Sequence, residues 1–178
     1  VAAVISELKR RKTVAVFRRL DANGNGVLER NDFSVVCAGY IEQGGWAEDS
    51  AKAAGMRALF DGWWDAILAA ADIDKDAVIS ADEFADAAAT LGGDASDGVG
   101  PMLFDAFDAS GNGLISPVEY RLFLSLYGVD AAQADETFAR LDLDGDGHIT
   151  REEFNSLFME FVGSEDEDAP GNWLFGPY

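Results

Sequence analysis

The chain has 178 residues, with 33 acidic side chains against 13 Lys plus Arg and a formal charge of −20. At 48% hydrophobic and 11% aromatic content it is too apolar for a disordered acidic tail, and its length suits one compact unit or two small halves. A surface this acidic repels phosphate backbones and anionic lipid, which argues against nucleic-acid and membrane binding. No stretch free of Asp, Glu, Lys and Arg exceeds ten residues, so no membrane-spanning helix is expected. Cys37 is the only cysteine and His148 the only histidine. That excludes an internal disulfide and Cys- or His-rich metal sites, and it argues against a catalytic triad. A reducing, cytoplasmic setting is the default expectation.

In chain order, the first predicted helix carries Lys9, Arg10, Arg11, Lys12, Arg18 and Arg19, six of the 13 basic residues. The TVAVFRR that comes after the basic cluster lacks the apolar run of a signal peptide. A basic amphipathic helix can engage membranes or acidic partners. The expectation here is that it neutralises the protein's own acidic surface. Next comes DANGNGVLERND (21–32), an acidic loop with three gapless counterparts further on: DIDKDAVISADE (72–83), DASGNGLISPVE (108–119) and DLDGDGHITREE (142–153). Each starts with Asp, has Asp, Asn or Ser at positions 3 and 5, and ends in a carboxylate at position 12. An aliphatic residue fills position 8 (Leu28, Ile79, Ile115, Ile149), and an aromatic follows each loop (Phe33, Phe84, Tyr120, Phe154). Apolar residues also stand four positions before each loop: Phe17, Leu68, Phe104 and Phe138.

This is the EF-hand pattern, and the chemistry of calcium explains its spacing. A hard cation wants roughly six to eight oxygens at ~2.3–2.6 Å. Positions 1, 3 and 5 turn side-chain oxygens inward, position 7 offers its carbonyl, position 9 binds directly or through water, and position 12 closes the shell. Glycine at position 6 reaches positive φ without a Cβ clash. The candidate ligands in the first loop are Asp21, Asn23, Asn25, Val27, Glu29 and Asp32. In the second they are Asp72, Asp74, Asp76, Val78, Ser80 and Glu83; in the third Asp108, Ser110, Asn112, Leu114, Ser116 and Glu119. The fourth offers Asp142, Asp144, Asp146, His148, Thr150 and Glu153, with His148 needed only for its carbonyl because hard cations prefer oxygen. Three to four Ca2+ ions are expected. Asp32 is shorter than the usual Glu and moves the 21–32 loop toward mixed Ca2+/Mg2+ binding. In the second loop Ala77 replaces the turn glycine, at a cost of about 1 kcal/mol that four carboxylates offset.

The flanks read as helices. Ser80, Ser116 and Thr150 each precede a Glu by three residues, which makes a capping box, and Pro117 falls in the first turn of an exiting helix. Asp130 with Gln133 predicts another box. One hand cannot bury its apolar face alone, so the fold class is all-α, with four hands paired into two lobes and short β bridges between loops. The expected units are 1–91, a first pair; 92–100, a short Gly-rich linker that folds the lobes together; 101–162, a second pair; and 163–178, an acidic and aromatic tail. Trp46, Trp63 and Trp64, in the long interval 33–71, read as core. In the tail, Trp173, Leu174 and Phe175 are expected to tuck into a cleft between the lobes.

Four hands, the long first interval, DANGNGVLERNDF around the first loop and the compact linker together resemble the sarcoplasmic calcium-binding protein and calerythrin family. That resemblance covers nearly the whole chain. It implies a compact two-lobed helical protein that buffers or transports intracellular calcium with magnesium competing, and a 21–32 loop that binds. Calerythrin is degenerate at its second hand, whereas DIDKDAVISADE keeps a full ligand set. The alternative is a sensor that opens a groove for a target helix. Such grooves are rich in methionine, and this chain has only Met56, Met102 and Met159. A photoprotein or luciferin-binding relative, carrying a small apolar ligand, is the third reading. Photoproteins use several histidines, and His148 stands in a loop. Enzyme chemistry finds no supporting constellation, since the paired carboxylates are accounted for as ligands. A monomer without an obligate protein partner is expected.

Overall fold

The Ser6 hydroxyl opens the first helix by accepting the Lys9 N–H, and the helix then runs from Glu7 to Leu20 (α1). In the computed structural model, which describes residues 6–90 and 99–178, seven more α-helices follow. They are α2 (Arg30–Gln43), α3 (Ala51–Ala71), α4 (Ala81–Thr90), α5 (Val99–Phe107), α6 (Pro117–Ser125), α7 (Ala131–Leu141) and α8 (Arg151–Gly163). Each of the four acidic loops joins two of these helices. Two-residue strands β1 (Val27–Leu28) and β2 (Ile79–Ser80) pair antiparallel, as do β3 (Leu114–Ile115) and β4 (Ile149–Thr150). The first loop is thus bridged to the second and the third to the fourth. Leu28, Ile79, Ile115 and Ile149 are fully buried, so the position-8 side chains plug the core while their backbones bridge the loops. No helix among the described residues is long and apolar enough to cross a membrane.

The expected caps are mostly present. Ser80–Glu83, Ser116–Glu119 and Thr150–Glu153 close in both directions, and Pro117 opens α6. Asp130 accepts the Gln133 N–H at 2.8 Å, but this box is not closed from the Gln133 side chain. Conversely, Glu29 and Asp32 form a box at the start of α2 that the Ser/Thr pattern did not foretell. A carboxylate at the cap position serves as acceptor as well as a hydroxyl does.

The long first interval folds as α2 and α3 packed on each other. Phe33 meets Trp63 and Trp64 at ring separations of 5.3 and 5.4 Å, and Tyr40 meets Trp46 edge-on at 5.6 Å. Trp63 and Trp64 are core, as read from sequence, and the half-buried Trp46 packs against it; Trp63 also borders a cavity. The same helices carry the inter-lobe contact. The Tyr40 hydroxyl donates to the Ala106 carbonyl at 2.7 Å, and its ring lies 6.1 Å from Phe123. The buried apolar side chains of both halves form one cluster. The expected linker, 92–100, lies outside the described residues except for its last two positions.

After α8 the chain turns back, and a short 3-10 helix, Pro170–Trp173, lies against α8 and α7. Leu174 is fully buried and Phe175 nearly so, stacked edge-on to Phe161 at 4.9 Å. The Tyr120 hydroxyl donates toward the Trp173 and Leu174 carbonyls, at 3.2 and 3.1 Å. From the other end of the sequence α1 reaches the tail: Lys9 pairs with Glu165, Arg11 with Glu167, and Arg19 donates to the Pro177 carbonyl. Part of the basic cluster therefore neutralises the protein's own acids, and the acids it meets are those of the tail.

Lys12 is the deepest of these contacts, with 1% of its surface exposed. Its ammonium donates to Asn172 Oδ1 at 2.7 Å, and Asn172 in turn donates to the carbonyls of Asp166 and Glu167. Burial, helped by Lys9 and opposed by Glu165 and Glu160, lowers its pKa from 10.5 to about 8. Between pH 8 and 10.5 the folded chain releases this proton while the unfolded chain keeps it, so Lys12 makes folding more favourable as pH rises through that window. Lys12→Met abolishes that dependence: the stability of the wild type relative to the variant rises between pH 8 and 10.5, as urea titrations at stepped pH will show. A flat difference contradicts the assignment. Deleting residues 170–178 uncovers the seats of Leu174 and Phe175, so a hydrophobic reporter dye brightens and the melting temperature falls. An unchanged dye signal would mean that the tail covers nothing.

Candidate metal centre

Each loop is organised around its first aspartate. The position-6 N–H donates to the second carboxylate oxygen of position 1 in all four: Gly26 to Asp21 (2.9 Å), Ala77 to Asp72 (3.2 Å), Gly113 to Asp108 (2.8 Å) and Gly147 to Asp142 (2.9 Å). The side chain at position 5 accepts the N–H of position 7: Asn25 from Val27, Asp76 from Val78, Asn112 from Leu114 and Asp146 from His148, at 2.8–3.0 Å. At the far end, position 12 accepts the N–H of position 9. Asp32 takes it from Glu29, Glu83 from Ser80, Glu119 from Ser116 and Glu153 from Thr150, at 2.8–2.9 Å. Backbone donors thus hold the carboxylates in each loop while further lone pairs remain for an ion.

Asp72, Asp74 and Asp76 bring carboxylate oxygens within 4.8 Å of one another, and so do Asp142, Asp144 and Asp146. Three acceptor-only groups at that spacing, each with one negative charge, repel each other unless a cation lies between them. The oxygen-only donor set fits a hard divalent ion. In the first and third loops Asn23, Asn25, Ser110 and Asn112 take the middle places and supply neutral oxygens. Asp32 is fully buried and accepts the Asn23 amide at 2.9 Å, so the short carboxylate already reaches across its loop. His148 leaves its ring half-exposed, with Nδ1 3.9 Å from Asp146.

Two of the closing carboxylates are tuned by their caps. Hydrogen bonds from the Ser80 N–H and hydroxyl hold Glu83 below the usual carboxylate range. Burial pushes Glu119 upward, but donors from Ser116 and Ser110 outweigh it and leave the group lowered. Both groups are therefore biased toward the charged form that a cation requires.

The second loop departs from the others at two positions. Ala77 takes φ 67°, whereas Gly26, Gly113 and Gly147 take 86–88°. A Cβ confines alanine to the narrow left-handed well, and the bond to Asp72 is correspondingly the longest of the four. Lys75 at position 4 also has positive φ, 64°, where the other loops place Gly24, Gly111 and Gly145. Sequence reasoning weighed Ala77 and missed Lys75, although glycine at position 4 in three of the four aligned loops was a readable signal.

An EF-hand domain pair matches residues 101–159, and a single EF hand matches 13–36. The sarcoplasmic calcium-binding protein of Scylla paramamosain is 30% identical over 171 residues, covering 88% of this chain and 89% of that one. This chain belongs to the sarcoplasmic calcium-binding protein family. Calerythrin of Saccharopolyspora erythraea is 27% identical over 153 residues, 82% of this chain and 86% of calerythrin. Among solved structures, the calcium-loaded apo form of the coelenterazine-binding protein from Renilla muelleri superposes with a TM-score of 0.79. It is 24% identical and covers 98% of this chain and all of that one, which shows a shared fold. Membership of the sarcoplasmic family agrees with the bridged loops and with the long α2–α3 interval.

Replacing Lys75 and Ala77 together by glycine removes two left-handed L-residues worth roughly 1–2 kcal/mol each, less ~0.5–1 kcal/mol per glycine in unfolded-chain entropy. The doubly substituted protein is expected to resist urea better than the wild type in chelator, by about 1 kcal/mol. A loss of stability would mean that these two φ values carry no strain.

Proposed function

We propose that this protein is an intracellular calcium buffer, not an enzyme, that binds three to four Ca2+ ions, with Mg2+ competing foremost at the 21–32 loop. The ligands are the twenty-four residues at positions 1, 3, 5, 7, 9 and 12 of the four loops. They belong to two EF-hand pairs, 1–91 and 101–162, joined by 92–100 and followed by the tail 163–178. The setting is cytoplasmic and the protein acts as a monomer, without nucleic-acid or membrane partners.

The seated tail is the observation that carries buffering over sensing. A sensor must present an apolar groove to a target helix. Here the Phe175 ring packs near Phe107 of α5 and Phe161 of α8, and the fully buried Leu174 belongs to the same core cluster. The large apolar residues left exposed among the described residues are Val35, Ile73, Val118, Leu143 and Met159, spread over three helices and two loops. Scattered single residues make no docking face. Met56 is buried in the core.

Calcium titration by calorimetry, with and without millimolar magnesium, and with a hydrophobic dye followed in parallel, tests this reading. Three or four ions are expected, with dye fluorescence flat or falling as sites fill, and magnesium weakening the first-loop site most. Dye fluorescence that climbs with calcium would make the protein a sensor instead.

A further inference from the structure

Between the lobes lies a cavity of about 130 Å³ walled by α1, α3, α4, α5, α6, α8 and the tail. Its surface is almost wholly apolar, with Trp63, Ile67, Phe84, Phe123, Phe161 and Phe175 as its largest contributors. That volume is close to the ~150 Å³ of an engineered protein cavity that stays dry and admits benzene, so it suits a body of a few carbons to one ring.

The exception on this wall is charge. Lys12 and Arg19, seven residues apart on one face of α1, both border the cavity. Neither has a carboxylate within 4 Å among the described residues, in a chain with 33 acidic side chains against 13 basic ones. The other cations without such a partner, Arg10, Arg18, Lys52 and Lys75, are exposed. Lys12 spends one donor on Asn172 and a longer one, 3.4 Å, on the Ser164 carbonyl. Its ammonium faces the cavity-lining ring of Phe161 at 5.3 Å. Arg19 meets the Pro177 carbonyl with one of five guanidinium donors. Tyr127 borders the same cavity, and its hydroxyl is buried without a hydrogen-bond partner among the described residues.

We propose that this cavity is a binding site for a small amphipathic carboxylate, whose apolar body fills the space between the lobes and whose anionic end meets Lys12 and Arg19. Apolar walls alone would accept any hydrocarbon of the right size. Two partly desolvated cations with no carboxylate in direct contact select for negative charge, because an anion there gains charge-assisted hydrogen bonds at donors already stripped of water. The site is separate from the four loops, so its occupancy goes beyond ion buffering.

Calorimetry on the calcium-saturated 178-residue chain with octanoate and octan-1-ol separates body from charge. One octanoate is expected to bind per chain, about tenfold more tightly than the alcohol, the scale of one charged hydrogen bond. Lys12→Met and Arg19→Met should each bring the two ligands toward equal affinity while leaving the alcohol bound. Ala66→Phe, which fills the cavity from α3, should abolish both without altering calcium stoichiometry, and Ala88→Leu serves from α4 if that variant does not fold. Equal affinity of the two probes for the wild type overturns the proposal. So does octanoate binding that survives both filling substitutions, or no binding by either probe.

Discussion

The carboxylate that ends each loop accepts the N–H three residues before it, and this one bond makes a loop and a helix the same object. In Glu83, Glu119 and Glu153 the accepting oxygen also takes the Ser or Thr hydroxyl, at 2.7–2.8 Å. The last candidate ligand is therefore locked to the first turn of the exiting helix. Whatever moves that carboxylate moves α2, α4, α6 or α8, and with them the adjoining aromatic residue: Phe33, Phe84, Tyr120 or Phe154. Three of those aromatics are buried in the core shared by both lobes. Site geometry and core packing are thus coupled through this hydrogen bond in every hand, and through the hydroxyl bond beside it in three.

The four loops, their pairing and the helix starts were legible because each is a local demand met by a particular residue type. An aspartate at position 1 gathers backbone donors, a β-branched or Leu side chain at position 8 fills the core, and a Ser, Thr or Glu caps the exiting helix. The sequence was less informative where two distant segments meet. Nothing near Lys12 announces that it will be buried against Asn172, 160 residues later. That outcome depends on where α8 ends and how the tail turns back. The aromatic tail was legible as a plug because its own composition is so unlike the acidic spacer before it. Which surfaces it would seal, and that α1 would hold it, emerge only from packing.

The surplus of negative charge takes on a different meaning once the loops are placed. Thirteen of the 33 acidic residues stand at candidate ligand positions: three, four, two and four along the chain. Four divalent ions would bring −20 to −12. For these thirteen the charge is what a cation site requires, and without an ion the carboxylates of one loop repel each other. Part of the remaining charge is met by α1, which sets Lys9 and Arg11 against Glu165 and Glu167. Exposed pairs of this kind add little to stability by themselves. They flank the buried Lys12–Asn172 contact that joins the tail to α1.

The seating of the tail also divides the molecule optically. Trp46, Trp63 and Trp64 belong to the α2–α3 region beside the first two loops, whereas Trp173 lies in the 3-10 turn with the Arg140 guanidinium 4.3 Å above its ring. Arg140 precedes Asp142 by two residues, and Tyr120, the residue directly after Glu119, donates to the Trp173 carbonyl. Trp173 is thus linked to the third and fourth loops, and Trp63 and Trp64, through Phe33, to the first. Emission from a protein retaining only Trp173 therefore reports the seat of the tail, where α1 meets the elements flanking the third and fourth loops.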